Sequence, residues 1–122
     1  MAGPFVRVGV DVVLVPRMAE LSQQEGFIRR VFQSAELDDT RPEHLAGLLA
    51  AKEACFKALG VPSRWHDVVV VESVGGRPTL LLGASLGAPE LASLDLSIAH
   101  EGPFAVAVVV ALLLGEADSG AR

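Results

Sequence analysis

The fold is decided by one stretch of sequence, Ala51-Lys52-Glu53-Ala54-Cys55-Phe56-Lys57-Ala58-Leu59-Gly60. We predict that it forms the second half of a helix over residues 41–59, because apolar residues recur there at the spacing of one helix face. Thr40 and Glu43 fit a capping box at the start of this helix, and Gly60 is a typical C-terminal stop. Lys52 falls on the apolar face, and we expect its long stem to lie along that face while the amine reaches out.

Strands dominate the rest of the chain. Val-rich or alternating patterns predict strands over residues 5–14, 67–72, 78–82, 94–100 and 104–114. Shorter helices are predicted over residues 16–25 and 27–32, followed by a turn that Ser34 caps. Gly75-Gly76 predicts a hairpin turn, and residues 83–93 a loop with about one helical turn. The expected fold is α+β: an N-terminal strand and helices, then an antiparallel β-meander. We expect one domain over residues 1–114 and a flexible tail over residues 115–122.

The composition of the chain excludes several classes of function. The chain has 122 residues, 51% of them hydrophobic, and a net charge of −5. An acidic chain is a poor match for nucleic acid, because phosphate backbones require a basic field. Cys55 is the only cysteine, which excludes an intrachain disulfide and fits a reducing compartment. No signal peptide is visible, and the longest apolar run, residues 104–114, is too short for a membrane helix. We therefore expect a cytosolic protein that binds neither nucleic acid nor membrane.

Three residues suggest a metal site that handles phosphate. Asp11 is an acid inside an otherwise apolar strand, where a carboxylate is costly unless it is paired or binds a metal. Glu53 and Lys57 lie four residues apart, which places them together on the predicted helix. By themselves these two residues also fit an ordinary surface ion pair. With Asp11 they favour Mg²⁺, which takes one or two protein carboxylates and leaves positions for water and substrate phosphate.

Two other patterns suggest alternative chemistry. His100 ends a strand, which is typical of a turn histidine with an ordinary hydrogen bond, and it shows no zinc-ligand spacing with the other histidines. Residues 83–87 match the G-x-S-x-G nucleophile elbow around Ser85, with Asp95 and His100 in hydrolase order. The chain is short for a hydrolase sheet, and Pro89 interrupts the helix that should follow. A serine acyl hydrolase using Ser85 is therefore a minor alternative.

A family resemblance rests on three blocks of sequence. They are residues 8–12 with Arg17, residues 46–60, and residues 97–107. Phe32 with Glu36, and the turn Gly76-Arg77-Pro78, match weaker elements. Over about residues 6–111 the chain thus resembles the holo-[acyl-carrier-protein] synthase family, the small 4′-phosphopantetheinyl transferases.

The resemblance implies a reaction and a set of site residues. Members of this family use Mg²⁺ to move the phosphopantetheine arm of coenzyme A onto a serine of apo-acyl carrier protein, releasing adenosine 3′,5′-bisphosphate. The family's metal ligands fall on Asp11 and Glu53, and its lysine on Lys57. We hypothesise that Glu53, directly or through a metal-bound water, accepts the serine proton, while Lys57 neutralises the leaving phosphate. The coenzyme A site would include Lys57, Gly60, Pro78, Ser97 and His100.

The resemblance also implies partners. The family forms homotrimers with active sites between neighbouring subunits, and a basic helix surface docks the acidic carrier protein. Arg17 matches that surface, and the pair Arg29-Arg30 is a further basic candidate.

Three positions depart from the family pattern. Leu48 stands where the family usually has an arginine for coenzyme A phosphate binding, and Ala99 replaces a serine before the histidine. Glu101 adds negative charge where an anionic ligand is expected. A degenerate relative that binds carrier protein or coenzyme A without efficient transfer is therefore the alternative within the family.

Overall fold

Helices and strands are arranged around one long helix in the computed structural model, which describes residues 3–114. In chain order the elements are β1 (Phe5–Leu14), α1 (Val15–Leu21), α2 (Phe27–Val31), α3 (Pro42–Leu59), β2 (Val68–Glu72), β3 (Pro78–Leu82), β4 (Leu91–Glu101) and β5 (Phe104–Leu113). Single 3₁₀ turns occur at Ser34–Glu36, Trp65–Asp67 and Ala84–Leu86. The predicted α+β class is confirmed. The predicted tail, residues 115–122, lies outside the described residues.

The strands form two antiparallel sheets. β5 is the central strand of the larger sheet, with β1 on one side and β4 on the other. β2 and β3 form a separate two-stranded sheet around the predicted Gly75-Gly76 turn, where both glycines have positive φ. The four later strands therefore form two antiparallel hairpins in separate sheets instead of one continuous meander, and the first strand of the chain pairs with the last. No helix in the described part of the chain has both the length and the apolar composition of a membrane span.

Helix α3 packs against the larger sheet at backbone contact. Its apolar face is buried from Leu45 to Leu59, with small side chains where β1 crosses it. A Cβ atom at Gly9 would lie 1.9 Å from the carbonyl oxygen of Ala54 and 2.8 Å from the backbone nitrogen of Ala58. Only glycine fits such a crossing, which holds β1 tightly against α3.

The ends of elements are where the predictions were least accurate, and β4 begins at Leu91, inside the predicted loop, instead of at residue 94. α1 ends at Leu21 rather than residue 25, because the Ser22 hydroxyl donates to the carbonyls of Met18 and Ala19. α3 begins at Pro42, and its N-cap Arg41 makes no side-chain cap, so the predicted Thr40–Glu43 capping box is wrong.

The 3₁₀ turn before α3 is capped by a residue other than the predicted Ser34. Gln33 and Glu36 form a reciprocal capping box there, in which the Gln33 backbone N–H donates to the Glu36 carboxylate over 2.9 Å. Glu36 is thereby anchored inside its own turn.

Lys52 contradicts the prediction that its amine reaches solvent. The side chain is completely buried, and its Nζ lies 2.8 Å from Glu36 Oε1. Nζ also donates to the carbonyl oxygens of Trp65 and Val68. Burial lowers the pKa of the Lys52 amine, while the hydrogen bond to Glu36 opposes that shift. The charge is accommodated because it is paired and every buried polar side-chain atom among the described residues has a partner.

The sheet face opposite α3 is apolar and exposed. Alternate β1 residues point away from the helix, and this face carries Val6, Val8, Val10, Val12 and Leu14, each between 45% and 60% exposed. Their register partners on β5 extend the same face with Phe104, Val106, Val108, Val110 and Leu112. We call this the outer sheet face. A continuous patch of this kind is typical of a protein–protein interface.

Candidate active site

Asp11, Glu53 and Lys57 meet where β1 crosses α3. Asp11 lies two residues beyond Gly9 on the same side of β1, so the tight crossing directs its carboxylate towards the helix. Lys57 Nζ donates to Asp11 Oδ1 over 2.8 Å and to the Val10 carbonyl over 3.1 Å. Glu53 precedes Lys57 by one helical turn and is partly buried. The structure thus brings together the three residues that the sequence singled out.

The electrostatics of this group favour a cation. Burial raises the pKa of the Glu53 carboxyl, and the nearby negative charge of Asp11 raises it further, whereas Lys57 acts in the opposite direction. The hydrogen bond to Asp11 raises the pKa of Lys57. The two carboxylates therefore lie close enough to repel each other, and one lysine only partly offsets that repulsion.

The donor set fits Mg²⁺. Asp11 and Glu53 offer carboxylate oxygens, the ligands that this hard cation prefers, and a bound cation would relieve their mutual repulsion. Across residues 3–114, no group of three or more His, Cys, Asp and Glu side chains gathers into a metal site. Two carboxylates are what Mg²⁺ commonly takes from a protein when its other positions hold water and phosphate.

A pocket opens at the other end of α3. Its volume is about 870 Å³, and it is lined by Ala35, Glu36, Asp38, Asp39, Arg41, His44, Gly47, Leu48, Val70, Val71, Glu72, Gly76, Pro78, Ile98 and His100. The walls come from the segment before α3, the first turns of α3, the strands β2 and β4, and the turn that leads into β3. The volume is in the range of small-molecule and cofactor sites.

His100 closes this pocket against α3. Its Nε2 lies 2.9 Å from the Glu43 carbonyl oxygen in the first turn of the helix. A Cβ atom at Gly47 would lie 3.1 Å from both His100 Nε2 and Ile98 Cγ2. Gly47 therefore lets β4 approach the helix closely enough for His100 to reach it.

Arg41 is the only permanent cation among the residues that line the pocket. Asp39 holds it through both carboxylate oxygens, with Arg41 Nε 3.0 Å from Asp39 Oδ1 and Nη2 2.5 Å from Oδ2. This pairing holds the pKa of Asp39 below its usual range. Leu48 lies seven residues further along α3 and is buried, so the position that departs from the family pattern is an apolar part of the pocket wall.

The predicted coenzyme A residues fall in three places. Pro78 and His100 line the pocket, whereas Lys57 and Gly60 lie at the opposite end of α3. Ser97 pairs with Val108, which in turn pairs with Val10, so Ser97 lies on the outer sheet face. Ser97 and His100 therefore project from opposite faces of β4.

The predicted docking residues are all exposed. Arg17 lies on α1, and Arg29 and Arg30 lie on α2. The Arg30 guanidinium is 5.9 Å from the centre of the Phe27 ring, so part of that side chain rests on apolar surface. These arginines present positive charge on a chain that is acidic overall.

The hydrolase alternative is wrong in this structure. Ser85 Oγ donates to Asp67 Oδ2 over 2.7 Å, and Asp95 pairs with Arg77. His100 is bonded to a helix carbonyl instead of to either residue. The G-x-S-x-G stretch forms a 3₁₀ turn, so the strand–turn–helix context that a nucleophile elbow requires is missing here.

Three site residues were missed from sequence. Arg41 was assigned only to a helix start, and Glu36 and Lys52 were not connected to each other. The available signals were the acid in the Phe32–Glu36 element and a lysine in the middle of an apolar helix face. A buried lysine requires an acid, and Glu36 was a candidate for that role.

Comparisons with known proteins agree on one family. The sequence profile of the 4′-phosphopantetheinyl transferase superfamily matches residues 7–109. A protein of Frankia alni named holo-[acyl-carrier-protein] synthase is 47% identical over 113 residues, covering 87% of this chain and 96% of that protein. The ACPS–CoA complex of Chronobacterium ammoniagenes has 30% identity and a TM-score of 0.78, covering 92% and 99% of the two chains. The Helicobacter pylori holo-[acyl-carrier-protein] synthase in complex with coenzyme A has 29% identity and a TM-score of 0.76, covering 85% and 98%.

Proposed function

This chain belongs to the 4′-phosphopantetheinyl transferase superfamily, and from that premise we propose that it is a holo-[acyl-carrier-protein] synthase. It transfers the 4′-phosphopantetheine arm of coenzyme A to a serine of an apo-acyl carrier protein. The observation that carries the proposal is the meeting of Asp11, Glu53 and Lys57 at the crossing of β1 and α3. The other product is adenosine 3′,5′-bisphosphate.

The chemistry requires a proton acceptor and control of negative charge. Glu53 takes the proton of the attacking serine hydroxyl, from a partly buried position one helical turn before Lys57. Lys57 offsets charge on the departing phosphate, and Asp11 holds the lysine in place through their 2.8 Å hydrogen bond. Asp11 and Glu53 would also hold Mg²⁺, which when bound supplies neutralisation of the diphosphate.

Coenzyme A occupies the pocket at the N-terminal end of α3. Two relatives of known structure are described as complexes with this molecule, and their fold matches the present one. Pro78 and His100 form part of the pocket wall, and Arg41 is the lining cation available for a ligand phosphate. Asp39 competes for that guanidinium, so phosphate binding requires Arg41 to share or exchange its carboxylate partner.

The carrier protein docks on the exposed arginines of the first two helices. Arg17, Arg29 and Arg30 would meet an acidic carrier surface, and opposite charges across such an interface speed association.

The active enzyme is a homotrimer. The outer sheet face is a continuous exposed apolar patch, and a second copy of the same chain would bury it. Ser97 lies on this face, away from the pocket of its own subunit. Burying the face would therefore bring Ser97 into an interface with a neighbour, which supports active sites between subunits.

Intact-mass analysis tests the reaction. Apo-acyl carrier protein is incubated with this protein, coenzyme A and Mg²⁺, with EDTA as the control. A metal-dependent gain of one phosphopantetheine on the carrier serine is expected. If several carrier proteins gain no mass, transfer is not the activity of this chain.

Leu48 supports a second candidate within the family. An apolar residue at this wall position removes a cation from the pocket, which is the change expected of a relative that binds carrier protein or coenzyme A without efficient transfer. Titration with coenzyme A separates the two functions, since binding without any mass gain would favour the degenerate relative.

A further inference from the structure

The pocket walls are tied together by one buried ion pair. Glu36 Oε1 accepts hydrogen bonds from Lys52 Nζ and from the Gln33 backbone N–H, over 2.8 and 2.9 Å. Glu36 Oε2 accepts from the Val70 backbone N–H over 3.0 Å. One carboxylate thus joins the segment before α3, the helix α3 and the strand β2. These are three of the parts of the chain that form the pocket.

Lys52 adds further anchors on the same side of the helix. Its Nζ donates to the carbonyls of Trp65 and Val68, which lead into β2, and it lies 5.6 Å from the centre of the Phe32 ring. All three contacts are with chain segments that flank the pocket wall. Neither Lys52 nor the Glu36 side chain is exposed, so water does not compete for these hydrogen bonds.

Stability alone is a weak reason for such a pair. Replacing a buried ion pair by apolar residues of similar volume is often neutral or stabilising, because both charges lose their hydration on burial. What an apolar pair does not provide is a carboxylate that accepts from two backbone N–H groups on different segments. The ion pair therefore fixes the positions of these segments relative to α3 more strictly than apolar packing alone would.

We infer that Glu36 and Lys52 are positioning residues of the coenzyme A pocket, an inference that rests on the proposed function. Their contacts set the distance between α3 and the walls formed by residues 33–39 and β2. The pair therefore controls the affinity for coenzyme A. The chemical step is less affected, because Asp11 and Glu53 are placed independently by the packing of Gly9 on Ala54.

The test is a double variant, Glu36→Gln/Lys52→Met, which removes both charges together and leaves no unpaired buried ion. We expect KM for coenzyme A to rise about tenfold, with kcat changed less than about threefold and KM for the carrier protein unchanged. The matched control is Cys55→Ala, which opens a cavity in the core beside the same helix at a residue that does not line the pocket. At equal loss of melting temperature, the control should leave KM for coenzyme A unchanged.

Two results would overturn the inference. One is a KM for coenzyme A that rises no more in the double variant than in Cys55→Ala. The other is a fall in kcat with KM unchanged, which would assign the pair to the chemical step.

A measurement on the unmodified protein covers the case in which the double variant fails to fold. Coenzyme A should slow hydrogen exchange of the Gln33 and Val70 amides, which donate to Glu36, because binding stabilises the walls that these amides join. Unchanged exchange at both amides with coenzyme A bound would contradict the positioning role. Absence of transfer by the unmodified protein would instead refute the proposed function. The exchange experiment would still show whether Glu36 and Lys52 respond to bound coenzyme A.

Discussion

At the scale of single residues, the proposed mechanism depends most on Glu53. It is partly buried beside Asp11, so its ionised form is disfavoured unless a cation lies close to it. Glu53→Gln should lower kcat by about 10²–10⁴-fold, because the variant has no proton acceptor. The melting temperature should hold or rise, since carboxylate repulsion is removed. Glu43→Gln changes the other glutamate of α3, which is exposed, and serves as the control with kcat retained. Full turnover in Glu53→Gln would remove Glu53 from the mechanism.

The pKa of Glu53 gives a second test that does not depend on turnover. Without metal it should titrate above its ordinary value of 4.5, as followed by carbon NMR of the carboxyl group. A raised pKa in the folded state means that ionisation opposes folding. The contribution to stability is therefore complete below the unfolded pKa and is lost as pH rises through the folded pKa. Adding Mg²⁺ should lower the pKa, and Asp11→Asn should weaken that response. A Mg²⁺-independent pKa would argue against the metal site.

Arg41 and Leu48 both line the pocket, and of the two only Arg41 is charged. Arg41→Gln should raise KM for coenzyme A about tenfold with kcat retained, because a charged hydrogen bond to phosphate is lost. Arg41 is the N-cap of α3 and Leu48 lies seven positions further along the chain, and both line the pocket. Adding Leu48→Arg to the first variant should restore much of the affinity. Arg77→Gln, an exposed arginine paired with Asp95, is the control. An unchanged KM in Arg41→Gln would exclude Arg41 from ligand binding.

At the scale of elements, the crossing of β1 and α3 positions the proposed catalytic residues. Gly9→Ala puts a methyl group 1.9 Å from the Ala54 carbonyl, so the strand must move off the helix. We expect a loss of about 1–3 kcal/mol in the free energy of unfolding, from overpacking, and a loss of kcat as Asp11 moves away from Lys57. Gly3→Ala, at a position with open space, should change neither quantity. Urea unfolding and steady-state kinetics measure the two effects, and a stable, active Gly9→Ala would contradict this account.

The sequence predicted elements better than it predicted their ends and partners. β1 was predicted over its observed residues because alternating valines are a local signal, and α3 because its apolar spacing is regular. The start of α3 was predicted to within one residue, but its Thr40–Glu43 capping box was wrong, since Arg41 is the N-cap and its side chain pairs with Asp39. Lys52 was wrong because its partner Glu36 is distant in sequence and meets it only after folding. Asp11, Glu53 and Lys57 could be identified by residue type. Arg41 could be recognised as a site residue only from the pocket that it lines in the folded chain.

At the scale of the whole molecule, the candidate site is divided. Gly47 in the pocket and Lys57 beside Asp11 lie ten residues apart on α3, or about 15 Å at the rise of an α-helix. Ser97 faces away from the pocket of its own subunit, on the exposed outer sheet face. Both features are understandable if neighbouring subunits complete each other's sites. Function and assembly would then depend on the same apolar surface.

Mixed trimers test that dependence. Glu53→Gln and His100→Ala subunits, each weakly active alone at low coenzyme A, are co-expressed with different tags and purified through both. If Glu53 of one subunit acts with His100 of its neighbour, each mixed trimer keeps about one intact site in three because of its cyclic symmetry. The mixed sample should then regain about a third of the activity of the unmodified protein. Sites contained within single subunits would give no recovery. Val8→Asp on the outer sheet face should dissociate the proposed trimer and abolish this recovery, whereas Val74→Asp, at a fully exposed valine in a turn, should preserve both. Light scattering after size exclusion reports the assembly state of every sample.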